Sequence, residues 1–325
     1  MDINSESQDG ETPLFEAINS VTGAMFKWLI DNGADSTRVN SEGRTVLEET
    51  AFRCLPGMIH VVLNTLKDQD PGNLTSDNLD KALHCSLWSC REPIVRALLE
   101  YGADPSAVDH GTTALDCALI CGREDIVNTL LDFGANPIPF NTLRRSVLWR
   151  AVDAEFGWET IRRIVEATLR AGGDIKEADV LKKFAAQACL PAVKELLRCG
   201  ADVLSPDTDG VTALHMALFR YSEHPSPEDA KDYEQVCQTL IKAINVAVCT
   251  GGEFDHSVPR KGPFRGGTSL HLAAKCGSET VMRMLLDSGV DRTTLDFDGK
   301  SALDIAILAG QQGVARLLES GSSDL

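Results

Sequence analysis

Residues 212–217, Thr212-Ala213-Leu214-His215-Met216-Ala217, decide how this chain is read. The same order returns at 268–274 as Thr268-Ser269-Leu270-His271-Leu272-Ala273-Ala274. Shorter versions occur at Thr12-Pro13-Leu14, Thr113-Ala114-Leu115 and Ser301-Ala302-Leu303. A hydroxyl ahead of an apolar run can cap a helix N-terminus, and Pro13 suits a first helical turn.

Working outward from these stretches, one apolar position recurs as a ladder: Leu14, Leu47, Leu83, Leu115, Leu148, Phe184, Leu214, Leu270 and Leu303. Seven of the eight spacings lie between 30 and 36 residues, and the remaining one, from Leu214 to Leu270, is 56. A period near 33 residues predicts an array of similar units. Each unit is expected to open with a polar glycine turn, as at Glu42-Gly43, Asp209-Gly210 and Asp298-Gly299. A short helix of small residues follows, then a second helix with apolar residues at helical spacing, such as Ile94, Val95, Leu98 and Leu99. Glycines 33, 102, 134, 172, 200 and 289 close these second helices and suit a left-handed backbone.

This pattern resembles the ankyrin repeat. The residues that carry the resemblance are the Thr-x-Leu-His runs at 212 and 268 and the endings Gly33-Ala34-Asp35, Gly102-Ala103-Asp104, Gly134-Ala135-Asn136 and Gly200-Ala201-Asp202. It spans essentially the whole chain, and repeats 3, 4, 8 and 9 carry it most clearly. Repeat 2 departs from it after Phe52-Arg53-Cys54-Leu55-Pro56-Gly57. The resemblance implies an all-α solenoid of about nine helix-turn-helix units with projecting turns, residues 1–325 forming one domain. The expected repeats are 8–40, 41–76, 77–108, 109–140, 141–176, 177–205, 206–264 with insertions, 265–295 and 296–325. It also implies that His84, His215 and His271 make structural hydrogen bonds. The concave face, built from turns and first helices, is where such proteins usually bind a protein.

Composition narrows the partner. Forty-eight acidic against 31 basic residues leave a net charge of −17, which disfavours nucleic acid and an anionic membrane. A basic or mixed-charge protein fits that balance better. Mean hydropathy is −0.09 and no stretch of about 18 apolar residues occurs. The polar, acidic start has no apolar signal stretch, and the ten cysteines include no CxxC pair. Reduced thiols in a monomer of the cytoplasm, or alternatively the nucleus, are expected.

Five residues after the ladder position, Phe52, Trp88 and Ile120 stand in consecutive units, and Phe219 follows in repeat 7. Bulky apolar groups there suggest a partner-binding stripe; the competing reading is packing between repeats. Trp149 stands where the family often has His, with Arg144, Arg145 and Arg150 beside it. That basic spot suits a ligand carboxylate, and charge balance between repeats explains it equally well. Between repeats 7 and 8 a Pro- and Gly-rich loop, residues 250–267, carries Phe254, Arg260, Lys261, Phe264 and Arg265. Long loops on repeat arrays often carry recognition, and a tolerated insertion is the alternative.

Catalytic signals are weak. Residues 262–269 have a phosphate-loop glycine spacing with Thr in place of Lys, and neither HExxH nor GxSxG occurs. No cofactor, metal or catalytic residue is expected. The reading is a non-enzymatic recognition module: a scaffold, adaptor or inhibitor. One alternative is a small-ligand or enzymatic site at Asp255, His256 and Arg260; another is the targeting module of a larger protein.

Overall fold

The structure of the protein is a computed structural model that describes residues 2–7, 11–89, 91–138, 146–173, 175, 178–207, 209–223, 227–249 and 267–320. It divides into two compact units, Met1–Gly173 and Asp174–Leu325.

In the first unit the helices fall into five pairs among the described residues. They are α1 (Pro13–Asn19) with α2 (Gly23–Asp31), α3 (Val46–Phe52) with α4 (Pro56–Gln69), and α5 (Ser76–Ser89) with α6 (Glu92–Glu100). Then come α7 (Ala114–Ile120) with α8 (Glu124–Asp132), and α9 (Val147–Asp153) with α10 (Trp158–Arg170). First helices pack on first helices, α1 on α3, α5, α7 and α9 in turn, and second helices do the same. The ladder leucines Leu14, Leu47, Leu83, Leu115 and Leu148 are all buried between them. One pair cannot bury its apolar face alone; neighbours close the core for each other.

The second unit repeats the scheme with α11 (Ala178–Ala186), α12 (Leu190–Arg198), α13 (Ala213–Glu223), α14 (Pro227–Cys249), α15 (Ser269–Cys276), α16 (Glu279–Asp287), α17 (Ala302–Leu308) and α18 (Gln312–Ser320). Here α11, α13, α15 and α17 form the first-helix row. The only strands among the described residues are the antiparallel two-residue β1 (Val108–Asp109) and β2 (Thr112–Thr113), which tighten the turn before α7.

Local chemistry sets where the first helices start. The hydroxyl residue caps, and the residue after the ladder position reaches back. Glu48 N–H donates to Thr45 Oγ1 at 3.3 Å while Thr45 N–H donates to Glu48 Oε2 at 2.9 Å. Asp116 with Thr113 and Asp304 with Ser301 make the same reciprocal cap, and at α15 His271 Nδ1 accepts from Thr268 N–H at 3.1 Å. The histidine therefore shares a position with carboxylates because all of them accept. Its other nitrogen ties neighbouring pairs: His271 Nε2 lies 3.1 Å from the Lys300 carbonyl, and His84 Nε2 lies 3.2 Å from that of Thr112.

Most first helices end at a left-handed residue seven positions after the ladder, although in α13 that position, Tyr221, is still helical. Gly122, Gly277 and Gly310 occupy it at φ 66°, 78° and 71°, but Val21, Cys54, Glu155 and Ala188 adopt it without glycine, at φ 54°, 55°, 57° and 52°. Non-glycine residues there are strained.

That landmark corrects the sixth ladder residue. Ala188 N–H donates to the Ala185 carbonyl as Gly122 N–H does to that of Leu119, so the ladder position is Leu181, not Phe184. Both are buried, one helical turn apart, which is why the apolar pattern misleads. The corrected spacings on either side become 33 and 33.

Two repeats depart from this scheme. Repeat 7, expected to carry insertions, lengthens its helices: α13 runs on to Glu223, and α14 starts at Pro227 and extends for 23 residues. Tyr221 and Tyr233 stack with ring centres 6.2 Å apart, and Tyr233 Oη donates to the Ala186 carbonyl at 2.8 Å. In repeat 3 the glycine-turn position, four residues before the ladder, is Leu79 inside α5, which begins at Ser76 after a 3-10 turn at Pro71–Asn73 and is twice the length of α3.

Candidate protein-recognition surface

The stripe predicted from spacing lies at the C-terminal ends of successive first helices. Phe52 closes α3, Ile120 closes α7, and Trp88 lies in the last turn of α5. Because these helices pack side by side, equivalent positions fall in a row. Phe52 is 41% exposed, Trp88 70% and Ile120 64%, so they do not pack between repeats. Polar Asn19 and Asp153 hold the same position at either side of the run and are exposed too. The row is thus three large apolar side chains bounded by polar ones.

Its Phe52 end is electrostatically fixed. The Arg44 guanidinium lies 4.0 Å above the Phe52 ring, a cation–π contact. Arg44 Nε donates to Glu49 Oε2 at 2.7 Å, and Arg53 pairs with the same buried carboxylate. Burial alone raises the Glu49 pKa, but the bonds from Arg53 and Arg44 outweigh it and hold the group below its usual range.

The remaining sequence-chosen residues are placed differently. Trp149 is half-buried, and its backbone N–H donates to Ser146 Oγ at 3.0 Å in the cap of α9. Arg150 pairs with the buried carboxylate of Asp116 on the neighbouring first helix. Its guanidinium ties two repeats together, while Arg144 and Arg145 lie outside the described residues. Phe254, Arg260 and Phe264 also lie outside them, as do Asp255 and His256.

Phe219 belongs to the second unit and is half-buried, with Lys275 Nζ 5.9 Å from its ring centre. The two border a groove of about 400 Å³ closed by His271, Leu272, Ile305 and Leu308. Leu308 is 70% exposed and holds the same position in α17 that Ile120 holds in α7. Its repeat position follows from the spacing, but its exposure does not. Val21, Met25 and Trp28 are exposed apolar residues that no repeat position flagged.

Three thiols, Cys85, Cys237 and Cys276, do not suit nucleophilic chemistry. Burial pushes Cys85 up to about 11 and Cys276 to about 12, and raises Cys237 well above its ordinary value. A nucleophile needs the thiolate, which these values disfavour near neutrality. Two thiols instead join neighbouring first helices: Cys121 donates to the Leu87 carbonyl at 3.8 Å and Cys276 to that of Leu218 at 3.0 Å. Among the described residues no group of three or more His, Cys, Asp or Glu side chains is arranged to hold a metal ion. No helix among them is long and apolar enough to cross a membrane.

The family model for ankyrin repeats (three copies) matches residues 50–141 and 228–324. Among curated proteins, the chain is 29% identical to the neurogenic locus Notch protein of Drosophila melanogaster over 109 residues, covering 34% of this chain and 4% of that protein. It is likewise 29% identical to neurogenic locus notch homolog protein 2 of Homo sapiens over 117 residues, 36% of this chain and 4% of the relative. The chain therefore spans only about 4% of the length of these relatives.

Proposed function

Because the chain belongs to the ankyrin-repeat family, whose repeats are generally protein–protein interaction modules, we propose that it is a non-enzymatic recognition protein, acting as scaffold, adaptor or inhibitor. The partner contacts the first-helix row of the first unit. The observation that carries this reading is the run Phe52, Trp88 and Ile120, large and exposed at one repeat position on three successive helices. Aromatic and aliphatic side chains held on rigid helices are efficient anchors, since little conformational freedom is lost on binding. Phe219 and Leu308 give the second unit a smaller version of the same surface, and the 250–267 loop is placed by its sequence to add Phe254, Arg260 and Phe264. Trp149 contributes an edge to the row, and Arg150 shapes it through Asp116. The partner is a protein of basic or mixed charge, met in the cytoplasm or the nucleus by a monomer of this chain.

The test is capture of partners on the immobilised intact chain beside a Trp88→Ser, Ile120→Ser double variant. Retention of specific proteins by the parent and their loss from a folded variant supports the reading. Identical capture by both would remove the row from recognition. Deleting residues 251–264 should leave folding intact; unchanged partner affinity in that variant would remove the loop from the surface.

A further inference from the structure

The first helix pair carries a second open groove, walled on one side by Ser5, Glu6 and Ser7 of the N-terminal segment. Its volume is about 480 Å³, and no residue of α3 or α4 lines it. The floor is Ala17 of α1 with Leu29 and Met25 of α2. Ala17 and Leu29 are buried, whereas Met25 is 49% exposed. One turn from Met25, Trp28 is 55% exposed, so apolar surface continues beyond the groove.

The rim has one sign of charge. Glu6, Glu11 and Glu16 line it, and no lysine or arginine does. Arg38 answers Glu6 at 2.7 Å. Glu11 and Glu16 form no ion pair among the described residues. Burial, reinforced by the charges of Glu49, Glu16 and Glu42 and only partly offset by Arg53, holds the Glu11 carboxyl above its usual range. Carboxylates crowded beside an apolar floor favour an incoming cation.

Shape and charge together select the occupant. The cleft between two packed helices accepts a third by ridges entering grooves, as α3 and α4 do against this pair. A second copy of this chain is disfavoured, because two molecules of charge −17 repel. We propose that this end groove binds a basic amphipathic helix of a partner protein. Its apolar side chains rest on Ala17, Met25 and Leu29, and its lysines or arginines meet Glu11 and Glu16. This groove shares no lining residue with the Phe52–Trp88–Ile120 row, although the charges of Glu49 and Arg53 at the Phe52 end reach Glu11.

The probe is a fluorescein-labelled synthetic helix with leucines at i, i+3, i+4 and i+7 and lysines elsewhere. A peptide of the same composition, shuffled so that no apolar face remains, is measured beside it by anisotropy against the intact chain. The amphipathic peptide is expected to bind at least tenfold tighter than the shuffled one. Glu11→Lys with Glu16→Lys, and separately Met25→Asp, should each weaken it tenfold or more. Asp68→Lys with Glu100→Lys shifts net charge equally, away from the groove, and should change affinity less than threefold. Met25→Ala, at an exposed position, serves if Met25→Asp fails to fold, and should still weaken binding. Equal binding of the shuffled peptide, or equal loss in the distant charge variant, would reduce the effect to diffuse attraction and overturn the proposal. Loss through Trp88→Ser, Ile120→Ser with Met25→Asp unaffected would overturn it, as would a dimer of this chain that Met25→Asp dissolves.

Discussion

The two units use one backbone position in different ways. Five residues after the ladder, the first unit presents Asn19, Phe52, Trp88, Ile120 and Asp153, while the second presents Ala186, Phe219, Lys275 and Leu308. In the first unit three large apolar groups stand together. In the second, Lys275 interrupts the row and lies against Phe219. The ladder position admits less variety: Leu14, Leu47, Leu83, Leu115, Leu148, Leu181, Leu214 and Leu270 are all buried, and Leu303 in the last pair is half-buried. Folding constrains the ladder because it fills the seam between pairs. The position five residues on faces outward, so the fold leaves it to other uses.

The largest expected effect tests the ladder half of that contrast. Leu115→Ala in the first unit and Leu214→Ala in the second should each destabilise by about 2–5 kcal/mol, read from urea unfolding. A loss well under 1 kcal/mol at either would mean that unit is held together by something other than its seam.

A smaller loss is expected where neighbouring first helices are joined by charge. Asp116→Asn leaves the half-buried Arg150 guanidinium without its carboxylate and weakens the cap of α7. The expected loss is about 2 kcal/mol, below that for a fully buried pair because Arg150 keeps some water. Restoration of stability by Arg150→Met in the Asp116→Asn background would identify the stranded charge as the cause.

Gains are expected at the strained helix ends. Val21→Gly and Ala188→Gly, one in each unit, relieve a left-handed backbone that Gly122 and Gly277 adopt without penalty. Each should raise stability by about 0.5–1 kcal/mol after the entropy of glycine in the unfolded chain is allowed for. A loss in thermal midpoint at both would show that the side chain there packs usefully.

The pH response distinguishes the units next. Burial, only partly opposed by the bond to the Lys300 carbonyl, lowers the His271 pKa below its ordinary 6.5. The folded state therefore binds its proton less readily than the unfolded chain does. This contribution is whole above about pH 6.5 and is lost as pH falls through the lower folded value. His271→Gln should shrink the drop in urea midpoint between pH 7.5 and 5.5. An unchanged drop would assign it to other groups.

Much of the array was legible because the seam imposes a period, and capping residues such as Thr113 and Ser301 mark where helices begin. The sixth register was misread because Phe184 and Leu181 share a helix face. Gly200, 19 residues after Leu181, is the signal that would have settled it, matching Gly134 after Leu115. The extra length of repeat 7 goes largely into α14, which Pro227 begins at a position where proline costs no hydrogen bond. The row Phe52, Trp88 and Ile120 was visible as spacing, but its exposure was not, since a helical period does not say which neighbours cover a residue. The groove under Met25 left no motif, because its lining combines scattered positions of the N-terminal segment, α1 and α2.

The central claim is that the ladder carries the fold while the position five residues on is free of it. Urea unfolding of Trp88→Ser, Ile120→Ser beside Leu115→Ala tests it most directly. The account predicts that the exposed pair costs within about 1 kcal/mol in total while the single buried leucine costs about 2–5 kcal/mol. A double variant that unfolds as readily as Leu115→Ala would contradict it.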